Sequence, residues 1–249
     1  DKSSFFLSSG ATSGQEHMVA RVLGFHRQFF PFAYLGAPIY KGRRRNVLFD
    51  GIVAKMRAHL AHWSTRLLSF RGKLVLARHV LASLPMYLLQ VVNPPKAVLT
   101  RLGVICNAFL WDRMGERRTH WSSWDKLCFP LEEGGLAFRS FKDLARAFAA
   151  KLWWQFRSGD SMWVEFMHAK YCSGSHPSEV SSVLPSATWR RLEAIRALVE
   201  PNLCWCVGNG LVDFWKDRWV LQDPLEVVVG RSERPHFLVA EFISDEGWD

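Results

Sequence analysis

Residues 46–63 read NVLFDGIVAKMRAHLAHW, and this stretch decides the fold that the sequence predicts. Its apolar side chains recur every three or four positions, which is the spacing of one face of an α-helix. They are Leu48, Ile52, Met56, Leu60 and Trp63. The other sides of the helix carry Lys55 and Arg57. We therefore predict an amphipathic helix with an apolar stripe that faces a core and a cationic flank that faces outward.

Two further helices are predicted directly after it. In the first, apolar residues recur at helical spacing from Leu74 to Leu84, and Pro85 ends the pattern because proline cannot continue a helix. The second begins at Pro95, since proline is favoured in the first turn, and it extends to Leu110. Three helices with short connections and basic flanks predict a small helical bundle at residues 42–112.

The segments on either side of this bundle predict a mixture of short elements. Residues 4–7 and 34–39 indicate short strands and turns, and residues 15–23 indicate a brief helix with Ser13 as its N-cap. Helical patterning returns at residues 142–157, 162–171 and 187–200. Asn209-Gly210 between the apolar segments 203–207 and 212–215 predicts a β-hairpin. The predicted fold class is mainly α, or α+β overall, with a small C-terminal β-hairpin.

Length and composition exclude several protein classes. A chain of 249 residues with 49% apolar residues can bury a substantial core, which excludes global disorder. No apolar run approaches the roughly 18 residues that a membrane helix needs, so we expect no membrane partner. The five cysteines are odd in number and scattered, and the first residues lack a secretory signal. We expect a piece of a longer intracellular protein, nuclear or cytoplasmic and not secreted.

The distribution of charge is more informative than the net charge of +9. Residues 17–111 contain fourteen Lys and Arg and one acidic residue, Asp50, which gives this segment a net charge of +13 and leaves −4 on the remainder. A cationic segment of this kind favours a polyanionic partner, because each cation that neutralises a phosphate releases condensed counterions. The alternative is a solvated basic face without a partner.

Catalytic and metal-binding patterns are weak in this sequence. No G-x-S-x-G or nucleophilic-cysteine pattern indicates a hydrolase. Cys204 and Cys206 could ligate zinc, but buried free thiols explain them better because no second cysteine pair follows. His59 and His62 lie three residues apart, and phosphate contact or plain exposure is the simpler interpretation. The first half of the chain lacks the clustered carboxylates that two-metal polymerase chemistry needs.

A dozen short motifs occur in an order that resembles plant LINE-type (non-LTR retrotransposon) reverse transcriptases. Lys2-Ser3-Ser4 resembles the end of palm motif D, and Tyr34-Leu35-Gly36 with Pro38 resembles motif E. The stretches Gly72-Lys73-Leu74 and Val80 to Pro85 resemble the thumb of that family. Glu133-Gly134-Gly135-Leu136, Val207-Gly208-Asn209-Gly210 and Asp217-Arg218-Trp219 continue the likeness. The resemblance covers nearly the whole chain.

The resemblance implies four segments. Residues 1–41 would be a palm remnant with motifs D and E, and residues 42–112 a helical thumb. Residues 113–200 would be a helical linker, and residues 201–249 a small β element that precedes a zinc-binding region. The family's Asp-Asp motif would lie upstream, so the chain is expected to be inactive alone and to bind no cofactor. Mg²⁺ is expected only in a full-length polymerase, whose missing palm and fingers would be partners.

The resemblance also implies site residues. Lys2 would be a motif D remnant of an otherwise absent catalytic site, although a solvent-exposed terminal lysine describes it better. Tyr34, Leu35 and Gly36 would form the primer grip, or simply a turn at a strand edge. The expected partner is an RNA–DNA or DNA duplex, contacted through its backbone. The residues expected to make these contacts are Lys41, Arg43, Arg44, Arg45, Lys55, Arg66, Arg71, Lys73 and Arg78.

Two interpretations of function follow. In the first, the chain is a fragment of an RNA-directed DNA polymerase that grips template–primer. In the second, it is a stand-alone nucleic-acid-binding or scaffold protein, domesticated or decayed, without a polymerase role. The tryptophans allow a similar choice, since they could stack on bases or pack in the core. The residues concerned are Trp121, Trp124, Trp153, Trp154 and Trp163.

Overall fold

A computed structural model describes residues 3–8, 10–62, 68–111, 121–230, 236–244 and 247–248. The chain divides into two compact units, Asp1–Ala145 and Arg146–Asp249. Helices dominate both units, and the strands of the described ranges form three two-stranded sheets. The predicted fold class, mainly α and α+β overall, is therefore confirmed. The four segment roles expected from the sequence are not tested by this division and stay predictions.

The first unit begins with a parallel pair of short strands, β1 (Ser4–Phe5) and β2 (His26–Arg27), which are joined through helix α1 (Ser13–Leu23). The helix is capped by Thr12, whose side chain accepts a hydrogen bond from the Gln15 backbone N–H. The Gln15 side chain accepts in return from the Thr12 backbone N–H at 2.9 Å. This is a capping box, so the predicted N-cap Ser13 is wrong by one residue.

An antiparallel hairpin follows, made of β3 (Phe32–Tyr34) and β4 (Ala37–Ile39). Its two-residue turn consists of Leu35 and Gly36, whose φ angles are 50° and 82°. Positive φ at both central positions gives a turn whose twist matches that of the flanking strands. The turn expected at these residues is therefore present.

The helical part of the first unit confirms the three helices that the sequence predicts and adds a fourth. A 3-10 turn at Asn46–Phe49 leads into α2 (Asp50–His62). Helix α3 (Phe70–Leu76) is capped by Ser69 and continues as a π-helical turn, Ala77–Leu81. After Pro85 comes the unpredicted α4 (Met86–Val91), and α5 (Lys96–Trp111) completes the set.

The core of the first unit lies between α2, α3 and α5. Met56, Leu81, Leu102 and Cys106 have no exposed surface. A second apolar cluster joins Ala37 of β4 to Phe49, Leu88 and Val98, and so fixes the hairpin to the helices. Helix α6 (Trp124–Leu127) packs against α5.

The second unit is built on α7 (Phe141–Ser158), which begins in the first unit, α8 (Met162–Met167) and α9 (Ala187–Val199). A π-helical turn, His168–Cys172, extends α8. The fully buried Trp153, Phe156, Trp189 and Leu192 form the centre of its core. The sequence predicts these helices to within two residues at each end, except that the last turn of the second is π-helical.

The C-terminal part contains α10 (Leu225–Val229) and the short hairpin of β5 (Ile243–Ser244) and β6 (Gly247–Trp248). The hairpin predicted around Gly208-Asn209-Gly210 is wrong, because Val212 to Phe214 pair with Phe237 to Val239 instead. A Cβ at Gly210 would lie 2.7 Å from Ala240, so this glycine permits a close chain crossing. No described helix is both long enough and apolar enough to cross a bilayer.

Candidate nucleic-acid interface

The basic loop, residues 41–45, connects β4 to the 3-10 turn before α2. Both flanks of the loop are anchored, because Ala37 and Phe49 are 4% and 1% exposed in one apolar cluster. The loop itself cannot enter that core, since burying its cations without partners would be costly. All four of its cations are exposed: Lys41, Arg43, Arg44 and Arg45.

Arg44 connects the basic loop to the segment before α5. Its guanidinium donates a hydrogen bond of 2.6 Å to the backbone carbonyl of Asn93. A carbonyl is neutral, so this contact orients the side chain without cancelling its charge. Lys96, the first residue of α5, is also exposed near this point in the chain. The loop is therefore held in place by a contact that preserves its positive potential.

Helix α2 adds two exposed cations, Lys55 and Arg57, whereas its Val53 and Met56 face the core. Asp50, the acidic residue of the cationic segment 17–111, accepts a hydrogen bond of 2.6 Å from Arg101. We define the cationic surface as Lys41, Arg43, Arg44, Arg45, Lys55 and Arg57. Within the described ranges, no carboxylate pairs with any of these six side chains.

The other cations expected to contact nucleic acid are placed differently. Arg71 is exposed on α3. Arg78 donates to the Leu136 carbonyl at 2.5 Å and lies over the Phe138 ring, so it also holds the chain after α6. Lys73 is only 5% exposed, with its ammonium 5.7 Å from the Phe109 ring centre. Lys73 therefore does not contribute to an exposed surface. Lys2 and Arg66 lie outside the described residues.

Tyr34 and Leu35 are among the most exposed apolar side chains of the first unit, at 60% and 71%. With Gly36 they occupy the tip of the β3–β4 hairpin. The basic loop leaves the opposite end of that hairpin, after Ile39. The structure therefore separates the two sets of expected site residues by the length of one short strand.

The exposure of the tryptophans and cysteines decides between alternatives that the sequence left open. Trp124 and Trp153 are buried, Trp163 packs against the core, Trp154 is half-exposed and Trp121 is 84% exposed.

Cys204 and Cys206 are both exposed, so the interpretation of buried thiols is wrong. They lie in an irregular surface segment rather than the strand that was expected. In the part of the chain that the structure describes, no three His, Cys, Asp or Glu side chains are grouped to hold a metal.

A buried ionic network in the second unit is absent from the sequence-based expectations. Arg157 of α7 donates through Nε to Glu200 Oε1 at 3.0 Å and through a terminal nitrogen to Asp217. His176 Nε2 lies 3.3 Å from Asp217 Oδ1. Burial alone would raise the pKa of Asp217, but the contacts from His176 and Arg157 hold it below its ordinary value. Up to 60 residues separate these partners, so periodicity could not reveal them.

Comparison with known proteins identifies a relative of this chain. No protein-family model matches the chain. A protein of Arabidopsis thaliana that bears the name "Putative ribonuclease H protein" is 31% identical to it over 85% of this chain. The chain spans 36% of the length of that relative.

This comparison contradicts the assignment to LINE-type reverse transcriptases, because the matched relative is named a ribonuclease H protein. The interpretation of the chain as a fragment of a retrotransposon's RNA-directed DNA polymerase is therefore wrong. The roles of Lys2 in catalysis and of Tyr34, Leu35 and Gly36 as a primer grip came from that resemblance alone, and we do not carry them further. The cationic surface does not depend on it.

Proposed function

We propose that the cationic surface binds the sugar–phosphate backbone of nucleic acid. The observation that carries this proposal is the exposure of six Lys and Arg side chains that no described carboxylate neutralises. The name of the Arabidopsis relative, a ribonuclease H protein, supports the same class of partner. Of the two functions considered from the sequence, this proposal keeps the nucleic-acid-binding part of the second, without a polymerase role.

The chemistry of the surface favours contact with phosphate rather than with base edges. A guanidinium group can donate two parallel hydrogen bonds to a phosphate, a bidentate contact. Residues 43–45 are three consecutive arginines. Contacts to phosphates position a protein on a duplex but carry no sequence information. We therefore propose an RNA–DNA or DNA duplex, bound without sequence preference.

We further propose that this chain holds nucleic acid within a larger protein of the ribonuclease H kind. The chain corresponds to about a third of its relative, so the remaining two thirds can carry other activities. Metal-assisted hydrolysis needs clustered carboxylates, whereas the described part of residues 41–57 contains one carboxylate, Asp50, which Arg101 already engages. A holding role suits this surface better than a hydrolytic one.

The proposal is tested by changing Arg43, Arg44 and Arg45 together to alanine. Each lost phosphate contact reduces the slope of log K against log salt by about 0.9 for a DNA duplex. We expect weaker duplex binding and a slope reduced by about two to three. Fluorescence anisotropy with a labelled duplex, titrated at several salt concentrations, measures both quantities.

The matched control removes the same number of charges from exposed positions elsewhere, with Lys126, Lys151 and Arg190 changed to alanine. This control should retain the wild-type slope. Equal slopes for the wild type and the Arg43/Arg44/Arg45 variant would show that the basic loop does not contact phosphate, and the proposal would then be wrong.

A further inference from the structure

We infer that an aromatic cluster beside the basic loop stacks on unpaired bases, so that the chain prefers a duplex with a single-stranded overhang to a blunt duplex. The cluster consists of Phe6, Phe30 and Phe32. This inference rests on the proposed function, since it adds a single-stranded site to the proposed duplex-binding surface.

The three rings contact one another. The centroid of Phe6 lies 5.2 Å from that of Phe30 and 4.6 Å from that of Phe32, and Phe30 and Phe32 are 5.6 Å apart. Phe6 and Phe30 are nevertheless 40% and 47% exposed. Their mutual contacts therefore fix the positions of the rings while leaving ring surface open to solvent, as a stacking platform requires.

The local backbone explains why these rings lie outside the core. Successive side chains of an extended chain point to opposite faces. Phe5 of β1 is 9% exposed and points inward, so the next residue, Phe6, points outward. Phe29, one residue before Phe30, is 63% exposed and lies 4.5 Å beneath the Arg27 guanidinium. Arg27 itself pairs with Glu16, so the cations available to a ligand near these rings are those of the basic loop.

The pairing of the hairpin places this cluster next to the basic loop. Phe32 pairs with Ile39, and Lys41 follows two residues later along the same strand direction. Arg43 and Arg45 follow Lys41 along the chain, exposed and without a described carboxylate partner. The rings and the cations therefore share one end of the hairpin.

A single-stranded nucleic acid matches this arrangement in two ways. Each of its nucleotides presents an apolar base face and one phosphate charge, and the surface offers rings beside cations. The charge complementarity favours this occupant over an apolar protein segment, which would leave the neighbouring arginines unpaired. An overhang that continues a duplex would place its bases on the rings while the basic loop holds the duplex phosphates.

The test compares two labelled RNA–DNA hybrids that differ only in a short overhang, using the full chain. We expect the wild type to bind the overhang hybrid about tenfold more tightly, the scale of one or two stacked bases. Changing Phe6 and Phe30 together to leucine keeps apolar volume but removes the aromatic faces. That variant should lose the preference, while its affinity for the blunt hybrid and its salt slope remain at wild-type values.

A Phe6→Tyr, Phe30→Tyr variant is the conservative partner of this experiment, and it should retain the preference because tyrosine also stacks. Equal wild-type affinity for both hybrids, or a preference that survives in the leucine variant, would overturn the inference and leave the rings for a protein partner. Binding of the blunt hybrid reports separately on the proposed function, so the two ideas can fail independently.

Discussion

Asp217 is the residue at which burial and pairing oppose each other most directly. Its side chain is 7% exposed, and removing an ionised carboxylate from water is unfavourable. Arg157, His176 and the Asp213 backbone N–H compensate for this cost through contacts with its two oxygens. Because the same Arg157 also donates to Glu200, its guanidinium links α7 to the 3-10 turn that follows α9.

Changing Asp217 to asparagine should lower the free energy of unfolding at neutral pH by about 3 kcal/mol or more, the usual cost of breaking a buried ion pair. The pKa of Asp217 is depressed in the folded protein. Its contribution is therefore fully present above the ordinary aspartate pKa of about 4 and is lost as the pH falls through the lower folded value. Urea unfolding at several pH values measures the difference between variant and wild type.

The difference should shrink as the pH falls below about 4, since the wild-type carboxylate then becomes protonated. Asp160→Asn is the control, because Asp160 is an exposed aspartate in the same unit. It should change stability by only a few tenths of a kcal/mol. A pH-independent difference for the Asp217 variant would mean that the charge of the carboxylate is not what stabilises the network.

At the scale of elements, α1 has no buried residue, a feature that it shares with the five-residue α10. A helix of 11 residues is marginal by itself in water, so its ends matter more than its faces. The Thr12–Gln15 capping box provides acceptors for the backbone N–H groups of Thr12 and Gln15 at the start of the helix. Gly24, with φ of 67°, ends the helix. The stability of α1 thus depends strongly on its caps.

Thr12→Ala should destabilise α1 locally by about 1 kcal/mol, because the alanine side chain cannot accept from the Gln15 N–H. Amide hydrogen exchange within residues 13–23 should accelerate by about fivefold, while exchange in α5 stays unchanged. Ser13→Ala is the matched control and should have little effect, since Ser13 is the first helical residue rather than the cap. The opposite pattern would restore Ser13 as the N-cap.

Long periodic elements could be predicted from the sequence, whereas some of the shortest, α4 among them, could not. Helices α2, α5, α7 and α9 each have at least 13 residues, enough for an apolar stripe to repeat. Helix α4 has six residues, too few for a period to be recognised. The pairing of residues 212–214 with residues 237–239 was also missed. Asn209-Gly210 indicates a bend, but it does not specify which segment pairs with the residues after the bend.

For the whole molecule, the charge distribution sets the expected salt dependence of nucleic-acid binding. The cationic surface contains six side chains, so no more than about six phosphates can be neutralised there. We therefore expect a slope of log K against log salt no steeper than about −5 for a DNA duplex. Titrations of the intact chain over a range of salt concentrations measure it. A steeper slope would require cations outside residues 41–57.

The location of the cationic segment could be predicted from the sequence, whereas the burial and the partners of its individual side chains could not. Composition alone identified the cationic segment, because one acid among fourteen cations is visible without a structure. Composition could not show that Lys73 is buried, since its position depends on how α3 packs against Phe109. The Arg157–Asp217 pair joins residues 60 positions apart, and only the tertiary fold brings them together.

The stacked indoles of Trp154 and Trp205 give the second unit an optical signature. Their ring centres are 5.4 Å apart and their planes differ by 16°. Two such chromophores at this distance couple their electronic transitions, and the coupling produces a paired positive and negative band in the circular dichroism spectrum when their transition moments are not parallel. Because one indole belongs to α7 and the other to the irregular segment before Gly208, that band reports on docking of the segment independently of helix content.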